Sequence, residues 1–339
     1  MELDKKDWVC KQPFEFLEIF EHGTFMCCPD WLPENLGLPR NIGENWKSEK
    51  AEKIRESILD GSYSYCSAKK CPKLAGLKEG KTTGMVPKEE FLKTYIKSQS
   101  IPRDVKFNFD RSCNLKCPSC RLDFVNYDKI QVAQTNKLLQ TIEEQLGQGL
   151  KRIECTGTGD PFFARSFRKW LMNFDPEKYP ELESIHLHTN ATLWNPYNWN
   201  KMTNIHKYVK SCEISIDAAS KDIYENKVRL GGKWDELVEN LKYIATLPYL
   251  GTVTLSYVIQ KDNLEDFENF YYFAESIFKD SGKNWFVFYG TLTNWGTFTE
   301  EEFIETDISN PNHRLFPELI KRYNSLPKTE RIRHNLPVE

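Results

Sequence analysis

The sequence predicts an α/β protein built on a parallel β-sheet, with a small separate unit at its N-terminal end. From residue 102 onward, six strand-like runs alternate with helical patterns, whereas residues 1–80 combine a hairpin pattern, one helix and five cysteines. Strands joined by helical crossovers pair in parallel, because each crossover returns the chain to the end of the sheet where the previous strand began. We therefore expect a partial (β/α)6 parallel barrel, closed partly or fully, preceded by a hairpin-plus-helix cluster domain.

The expected elements follow from residue type and period. Strand-like runs fall at residues 104–110, 152–156, 184–189, 211–216, 252–259 and 284–289. Helical patterns fall at 131–146, 164–173, 196–209, 234–246 and 264–278, with one more at 313–324. These boundaries predict a cluster domain at 1–80, a connector at 81–101 with a short helix at 88–97, the barrel at 102–295 and a C-terminal extension at 296–339.

The N-terminal unit is predicted from two local patterns. Apolar runs at 14–20 and 24–26 flank a turn at 21–23, which predicts a β-hairpin. A helix is expected at 48–60, with Ala51, Ile54 and Ile58 on one face and Gly61 as its stop. A unit this small is hard to stabilise by burial alone, so cysteines converging from its two ends are expected to bind a metal or a cluster.

The strands of the barrel alternate in polarity. In the third strand, Ile185 and Leu187 interleave with His186 and His188, although strands of a packed parallel barrel are usually apolar throughout. One face is therefore expected to pack against helices and the other to line a wet interior that holds a cofactor and a substrate. A half-exposed antiparallel sheet is the alternative interpretation. His188 is a candidate catalytic residue on the wet face, as a substrate ligand or proton acceptor, and a hydrogen-bonded interior histidine is its alternative.

Composition excludes several classes of protein. The chain has 339 residues, 40% of them hydrophobic, and a net charge of -3, so it predicts a globular core and no basic surface for nucleic acid. No run is long and apolar enough to span a membrane, and the first residues lack a signal-peptide pattern, so we expect a cytoplasmic protein without membrane contact. Ten cysteines in a reducing compartment favour metal binding or catalysis over disulfides.

The most specific motif is the cysteine triplet Cys113, Cys117 and Cys120, spaced C-x3-C-x2-C in the loop after the first barrel strand. Structural zinc sites and closed iron–sulfur clusters normally have four protein ligands, so three cysteines leave one metal position open. The loop also lies where parallel α/β folds assemble their active sites. A loop zinc site and plain buried thiols are the alternatives.

This motif resembles the signature of the radical S-adenosylmethionine (radical SAM) superfamily, in which three cysteines hold a 4Fe-4S cluster and SAM binds its open iron. Further segments resemble that family in the same chain order. Thr158-Gly159-Asp160-Pro161 is similar to its Gly-Gly-Glu-Pro motif, Thr189-Asn190 to its Thr-Asn-Gly segment and Ser215-Ile216-Asp217 to its Ser-Ile-Asp segment. The resemblance implies that these segments, together with Arg229, contact SAM. Taken singly, each has an alternative interpretation as a helix cap or a surface charge.

The N-terminal cysteines resemble an auxiliary-cluster module, the SPASM domain or its shortened twitch form. Cys10, the spacing from Gly23 to Cys28, and Cys66 with Cys71 match its pattern, although the module usually follows the barrel. The resemblance implies one auxiliary 4Fe-4S cluster held by Cys10, Cys28, Cys66 and Cys71. Cys27 adjoins Cys28, and the choice between them stays open, as does structural zinc at this site.

The resemblance implies an oxidoreductase that cleaves SAM reductively to a 5′-deoxyadenosyl radical. That radical would abstract hydrogen from a peptide or a small polyhydroxylated metabolite, with oxidation, epimerisation or crosslinking as the outcome. It also implies a flavodoxin- or ferredoxin-like electron donor as a partner. The alternative is a non-catalytic scaffold or redox protein that binds zinc or an iron–sulfur cluster.

Overall fold

The computed structural model describes residues 2–95 and 101–337, which divide into two compact units. Unit 1 comprises Met1–Asp110, Ile130–Cys155 and Asp175–Ser184, and unit 2 comprises Arg111–Lys129, Thr156–Phe174 and Ile185–Glu339. The domain boundaries expected from the sequence stay a prediction. No helix among the described residues combines the length and the apolarity needed to cross a membrane.

Unit 1 contains a mixed sheet. The strands of unit 1 are β1 (Trp8–Val9), β2 (Phe16–Phe20), β3 (Gly23–Phe25), β4 (Val86–Pro87), β5 (Asp104–Phe107) and β6 (Arg152–Cys155). β2 and β3 form the predicted antiparallel hairpin, and β2 also pairs in parallel with β5, which pairs in parallel with β6. β1 and β4 form a separate antiparallel pair. The hairpin is thus part of the same sheet as β5 and β6, which correspond to the first two predicted barrel strands.

The helices of unit 1 follow their local sequence signals. They are α1 (Gln12–Glu15), α2 (Ile42–Trp46), α3 (Glu49–Leu59), α4 (Pro72–Lys78), α5 (Lys88–Thr94) and α6 (Lys129–Leu146). Ser48 caps α3 by accepting a hydrogen bond from the Ala51 amide, and Gly61 takes a φ of 78° just past its end. Pro13 stands in the first turn of α1, so the predicted strand at 14–20 begins two residues late. Residues 96 and 97 of the predicted connector helix lie outside the described residues.

Unit 2 contains an all-parallel set of strands in chain order. They are β7 (Ser184–Thr189), β8 (Val209–Ser215), β9 (Thr252–Val258), β10 (Asn284–Gly290) and β11 (Ile332–His334). The helices that follow and connect them are α7 (Arg165–Met172), α8 (Pro196–Trp199), α9 (Lys221–Ile223), α10 (Trp234–Ala245), α11 (Phe267–Phe278), α12 (Glu300–Thr306) and α13 (Phe316–Ser325). The predicted α/β class with a parallel sheet is confirmed.

The predicted alternation is present in β7. Ile185, Leu187 and Thr189 are buried, and His186 and His188 are half-buried on the opposite face. β8 repeats this pattern, because Cys212 and Ile214 are buried while its neighbouring polar residues are partly exposed. One face of these strands therefore packs against apolar groups, and the other presents polar side chains.

The predicted helix at 196–209 is wrong in length. Only α8 and a single 3-10 turn at Thr203–Ile205 form, and β8 already begins at Val209. Asparagines explain the short helix, because their side chains bond to nearby backbone groups and compete with helical hydrogen bonds. Asn195 caps α8 through the Asn198 amide, and Asn204 donates to the Phe174 carbonyl. β11, which pairs with β10, was not predicted at all.

A row of charged groups crosses the sheet of unit 1. Glu18 of β2, Lys106 of β5 and Glu154 of β6 stand in register, and Lys106 lies 2.6 Å from Glu154. Glu18 is only 6% exposed and accepts a hydrogen bond from Asn108. Burial raises the pKa of Glu18 to about 7, and the Lys106 charge opposes that rise.

We expect Glu18→Gln to stabilise the protein at pH 8. A carboxyl group whose pKa rises on folding from 4.5 to about 7 destabilises the fold as pH increases across that interval. The rise corresponds to about 3 kcal/mol at most, since one pKa unit is worth about 1.4 kcal/mol. Urea unfolding of wild-type and variant protein should therefore differ by about 2–3 kcal/mol at pH 8 and converge near pH 4. Exposed Glu44→Gln is the control, and an equal effect from it would contradict the assignment to Glu18.

Candidate functional site

The predicted cysteine triplet forms a compact loop in unit 2. The Cys113 amide bonds to the Val125 carbonyl, and the amides of Cys120 and Arg121 both bond to the Cys117 carbonyl. Cys113 is 7% and Cys117 is 4% exposed, and both pack with Leu115 while Cys120 packs against them. All three cysteines line one cavity. The loop therefore brings three thiols of a single motif to the same place.

Each of the three sulfur atoms receives its own N–H donor. Arg121 Nη2 lies 3.4 Å from Cys120 Sγ, Arg229 Nη1 lies 3.5 Å from Cys117 Sγ, and Asn190 Nδ2 lies 3.6 Å from Cys113 Sγ. The donors come from three different segments of unit 2. Such donors stabilise negative charge on sulfur, because a hydrogen bond to an ionised acceptor is stronger than one to a neutral acceptor.

Arg229 is held by a buried ion pair. Its Nη2 lies 2.6 Å from Asp217 Oδ2, and both side chains are almost fully buried. Burial alone would lower the pKa of Arg229, but Asp217, Cys117 and Tyr224 raise it above its ordinary value. A π-helical turn at Tyr224–Val228 immediately precedes Arg229 and widens the backbone there. The sequence resemblance pointed to both residues as cofactor contacts, but it did not indicate that they pair with each other.

Asp160 joins two loops of the site. Its Oδ1 accepts hydrogen bonds from the amides of Phe162 and Phe163, and its Oδ2 accepts from Thr189 Oγ1 at 2.7 Å and from the Asn190 amide at 2.9 Å. Four donors satisfy the carboxylate, which is fully buried. Burial raises the pKa of Asp160, and these hydrogen bonds oppose the rise. Asp160 thus positions the loop after β6 against the end of β7.

Asn190 is the centre of a side-chain network after β7. Besides Cys113 Sγ, its Nδ2 donates to Asn114 Oδ1 at 3.1 Å, and its Oδ1 accepts from the amide and the hydroxyl of Thr192. Asn114 donates in turn to the Thr192 hydroxyl at 2.8 Å. Asn240 of α10 donates hydrogen bonds to the carbonyls of Ala191 and Thr192. The network fixes the amide that faces the first cysteine.

Most of the sequence-predicted residues meet at this cavity. Its lining includes Cys113, Cys117, Cys120, Gly159, His188, Thr189, Asn190, Ser215 and Arg229, and also Leu115, Arg121 and Gly157. Three predicted residues, Thr158, Asp160 and Asp217, are not among its lining residues. His188 Nε2 lies 3.0 Å from Ser215 Oγ, and Glu213 Oε1 lies 4.0 Å from the same nitrogen. Arg121 was missed by the sequence analysis, although it directly follows the last cysteine.

Left-handed backbone marks the ends of three consecutive strands. Thr156 after β6, Ala191 after β7 and Asp217 after β8 have φ values of 62°, 58° and 60°. Such values are uncommon outside glycine and are unusual for a β-branched residue such as Thr156. Thr156 is supported by its own hydroxyl, which accepts from the amides of Thr158 and Gly159 at 3.1 Å. No pattern in the sequence indicated this conformation.

A glycine allows the triplet loop to approach the segment after Arg229. Gly231 has a φ of 93°, and a Cβ atom there would lie 3.2 Å from the Phe124 ring and 3.4 Å from the Asn114 carbonyl oxygen. The Lys116 amide bonds to the neighbouring Leu230 carbonyl at 2.9 Å. Only glycine tolerates this positive φ together with such close contacts. Gly231 therefore allows the segment that carries Arg229 to lie close to the cysteine loop.

The thiols are strongly affected by burial. Burial raises the pKa of Cys113 to about 12, with Asp160 adding to the rise and Arg121 opposing it. Burial likewise raises the pKa of Cys117, and Arg229 opposes that rise. Metal binding requires thiolates, so a metal or a cluster at this site would displace the protons and couple binding to pH.

The residues at the cavity fit an iron–sulfur cluster with a bound cofactor. Three thiols form a donor set with an open fourth position. Two buried polar atoms, Nε of the lining residue Arg121 and Oγ1 of Thr158 between the lining residues Gly157 and Gly159, have no hydrogen-bond partner among the described residues. No three His, Cys, Asp or Glu side chains within residues 2–95 and 101–337 are arranged to hold a single metal ion. A 4Fe-4S cluster would be held by Cys113, Cys117 and Cys120, each through its own thiolate, and would keep one iron open for a cofactor.

Unit 1 contains a second group of thiols. Cys10, Cys27, Cys66 and Cys71 line one cavity together with Lys73 and apolar side chains. Burial raises the pKa of Cys66 to about 12, and the neighbouring Cys71 and Cys10 raise it further. Burial also raises the pKa of Cys27, as do Cys10, Cys28 and Cys66. The four cysteines thus line one cavity, and Cys10 adds to the rise in the pKa of both Cys27 and Cys66.

Cys28 faces a different environment in the same unit. It is not among the residues that line the cavity of Cys10, Cys66 and Cys71. Burial raises its pKa, and the charged groups that act on it are Glu18, Asp30 and Lys106. Its carbonyl accepts the amides of Trp31 and Leu32, which turn the chain after the hairpin. The two adjacent cysteines thus differ in their neighbours.

Comparison with known proteins identifies the family. Residues 107–274, from the end of β5 into α11, match the model of the radical SAM superfamily. No curated protein matches the chain. The solved structure of TYW1 with a lysine-pyruvate adduct bound is 12% identical, with a TM-score of 0.38 over 66% of this chain and 74% of that chain.

Two structures of anSMEcpe are similarly distant. One is the native protein with bound AdoMet and Cp18Cys peptide, and the other is a polyhistidine-tagged form with bound AdoMet; each is 19% identical with a TM-score of 0.38. The match covers 55% of this chain and 50% of that chain, so the chain spans half the length of that protein. These structural likenesses are too distant to carry an assignment of activity. On the family match, the chain is a radical SAM enzyme and belongs to the radical SAM superfamily.

Proposed function

We propose that Cys113, Cys117 and Cys120 hold a 4Fe-4S cluster with SAM at its open iron, and that the enzyme takes a hydrogen atom from a peptide or a small polyhydroxylated metabolite. The observation that carries this proposal is the convergence of the three thiols on one cavity, each with its own N–H donor. When bound, the cluster supplies the electron for reductive cleavage of SAM, which permits hydrogen abstraction from an unactivated carbon.

The polar residues of the cavity have proposed roles in binding. Gly159, Thr189, Asn190, Ser215 and Arg229 line it and are proposed to contact SAM. The resemblance also indicates Thr158, Asp160 and Asp217. We propose that these three residues mainly position the residues that contact SAM. Support comes from Asp160, whose carboxylate already accepts four hydrogen bonds, and from Asp217, which pairs with Arg229.

His188 is proposed to contact the substrate. Its ring lines the cavity, is half-buried, and pairs with Ser215 on the polar face of β7 and β8. Because Ser215 bonds to Nε2, Nδ1 is the ring nitrogen proposed to donate a proton to the substrate or accept one from it. His186, two residues earlier on the same face, bonds to Ser211 and provides a matched control.

We propose an auxiliary iron–sulfur cluster in unit 1, as in SPASM or twitch modules. Cys10, Cys66 and Cys71 are proposed ligands, and Cys27 is preferred over Cys28 as the fourth. Support for Cys27 is its place in the lining of the same cavity, from which Cys28 is missing. Four protein thiolates would leave no open iron, so electron transfer or structural support is the proposed role. A flavodoxin- or ferredoxin-like protein is proposed as the electron donor.

Replacing Cys113, Cys117 and Cys120 together by Ala should abolish SAM cleavage and remove about half of the iron. The two groups of thiols share no residue, so the cluster of unit 1 should remain. Iron content and 5′-deoxyadenosine formation after anaerobic reconstitution measure this. Tightly bound zinc and no SAM turnover in the wild-type protein would contradict the proposed function, and loss of all iron from the variant would contradict two independent clusters.

Cys27→Ala should strip the auxiliary iron, whereas Cys28→Ala should retain it. Removal of one ligand from a closed site breaks the cluster, while Cys28 lies among Glu18, Asp30 and Lys106 instead. Iron content and the electron paramagnetic resonance spectrum of each single variant decide the assignment. The reverse result would establish Cys28 as the ligand, as the spacing from Gly23 suggests.

His188→Gln should keep SAM cleavage without substrate but lower deuterium transfer from substrate to 5′-deoxyadenosine about tenfold at limiting substrate, because a hydrogen bond that positions the substrate is lost. Panels of deuterated peptides and polyols, incubated with reductant and SAM, provide the measurement and distinguish the two substrate classes. His186→Gln should have little effect. Equal transfer by the His188 variant and the wild type would remove the functional role of the ring.

A further inference from the structure

Arg121 connects the cysteine loop to the loop after β6. Its Nη1 donates to the Arg111 carbonyl at 2.9 Å, and its Nη2 donates both to the Thr158 carbonyl at 3.0 Å and to Cys120 Sγ at 3.4 Å. The side chain is only 8% exposed. Three acceptors in a fixed geometry hold the planar guanidinium, so its position relative to the sulfur atoms is well defined.

The charge of Arg121 is not offset by an acidic side chain. Arg229, the other guanidinium at the site, forms its ion pair with Asp217 at 2.6 Å. No carboxylate of the described residues lies within 4.0 Å of the Arg121 guanidinium, and its two other acceptors are neutral carbonyls. Arg121 therefore places a positive charge without a carboxylate partner 3.4 Å from Cys120 Sγ, at a cavity that all three cysteines line.

Burying an unpaired cation is costly unless negative charge is brought to it. The three thiols provide that charge once they are deprotonated by metal binding. Arg121 Nε, buried and without a hydrogen-bond partner among the described residues, leaves one further donor unused. The surroundings of Arg121 thus favour an anionic group at the cysteines over protonated thiols.

We propose that Arg121 is a positioning residue that sets the reduction potential of the cluster held by Cys113, Cys117 and Cys120. This inference rests on the proposed function. Reduction adds one electron to the cluster, so a nearby cation and an N–H donor to a ligand sulfur stabilise the reduced form more than the oxidised form. Arg121 consequently makes the cluster easier to reduce by a donor of fixed potential.

Redox titration of the reconstituted full-length protein tests this inference, with the cluster signal identified by its absence from the triple alanine variant. Arg121→Met should lower the ratio of reduced to oxidised cluster at a fixed potential about tenfold, which for a one-electron couple is about 59 mV. Arg121→Lys, which keeps the charge but not the planar fork, should give a smaller decrease. Arg111→Met is the matched control, because Arg111 is exposed and offers Arg121 only its backbone carbonyl.

Equal potentials for Arg121→Met and wild type, at equal iron content, would overturn the inference. So would an Arg111→Met shift as large as that of Arg121→Met. If Arg121→Met does not retain its iron, Arg121→Lys decides: a potential below wild type supports the inference, and an unchanged one overturns it. A wild-type protein that binds no cluster at the triplet would instead overturn the proposed function.

Discussion

The buried carboxylate of Asp160 is the contact on which the arrangement of the site depends. Its four hydrogen bonds join the loop after β6 to Thr189 and Asn190 at the end of β7. A buried carboxylate is costly unless its acceptor positions are satisfied, so both segments must meet around it. Asn190 then carries its amide to Cys113, and the fixed loop presents the Thr158 carbonyl to Arg121. One satisfied polar group thus sets the place of two of the three sulfur contacts.

Backbone strain is concentrated at the same edge of the fold. Thr156, Ala191 and Asp217 take left-handed conformations just after three successive strands, and hydrogen bonds hold each of these segments in place. The Thr156 hydroxyl accepts hydrogen bonds from two amides, and Thr189 Oγ1 accepts one from the Ala191 amide. The Asp217 carboxylate accepts one from the Val258 amide. Such conformations persist only where the surroundings determine them, which is common at functional sites. Residues next to them or near them in the chain, Gly157, Asn190 and Ser215, line the cavity.

The sequence predicted the parts of this structure that depend on local pattern. Periodicity located β7, β9 and α10 closely, and the cysteine spacing located the triplet, because both signals lie within a few residues of chain. Pairings between distant segments were beyond such patterns: β2 beside β5, β11 beside β10, and the Arg229–Asp217 ion pair. The choice between Cys27 and Cys28 also depends on side-chain direction after the hairpin, which residue spacing does not determine.

Charge distribution distinguishes the two groups of buried thiols. At the triplet, two guanidiniums and one amide donate to the sulfurs, and Asp217 offsets only one of the two charges. In the cavity of unit 1, burial raises the pKa of Cys10 and Cys66, Cys71 adds to the rise at both, and the Lys73 charge opposes it at Cys10. Burial disfavours thiolates at both places, so ligation there must supply the stabilisation that water otherwise gives. The triplet, with its additional donors, has the environment better suited to hold negative charge, and this difference arises from residues outside the cysteine motif.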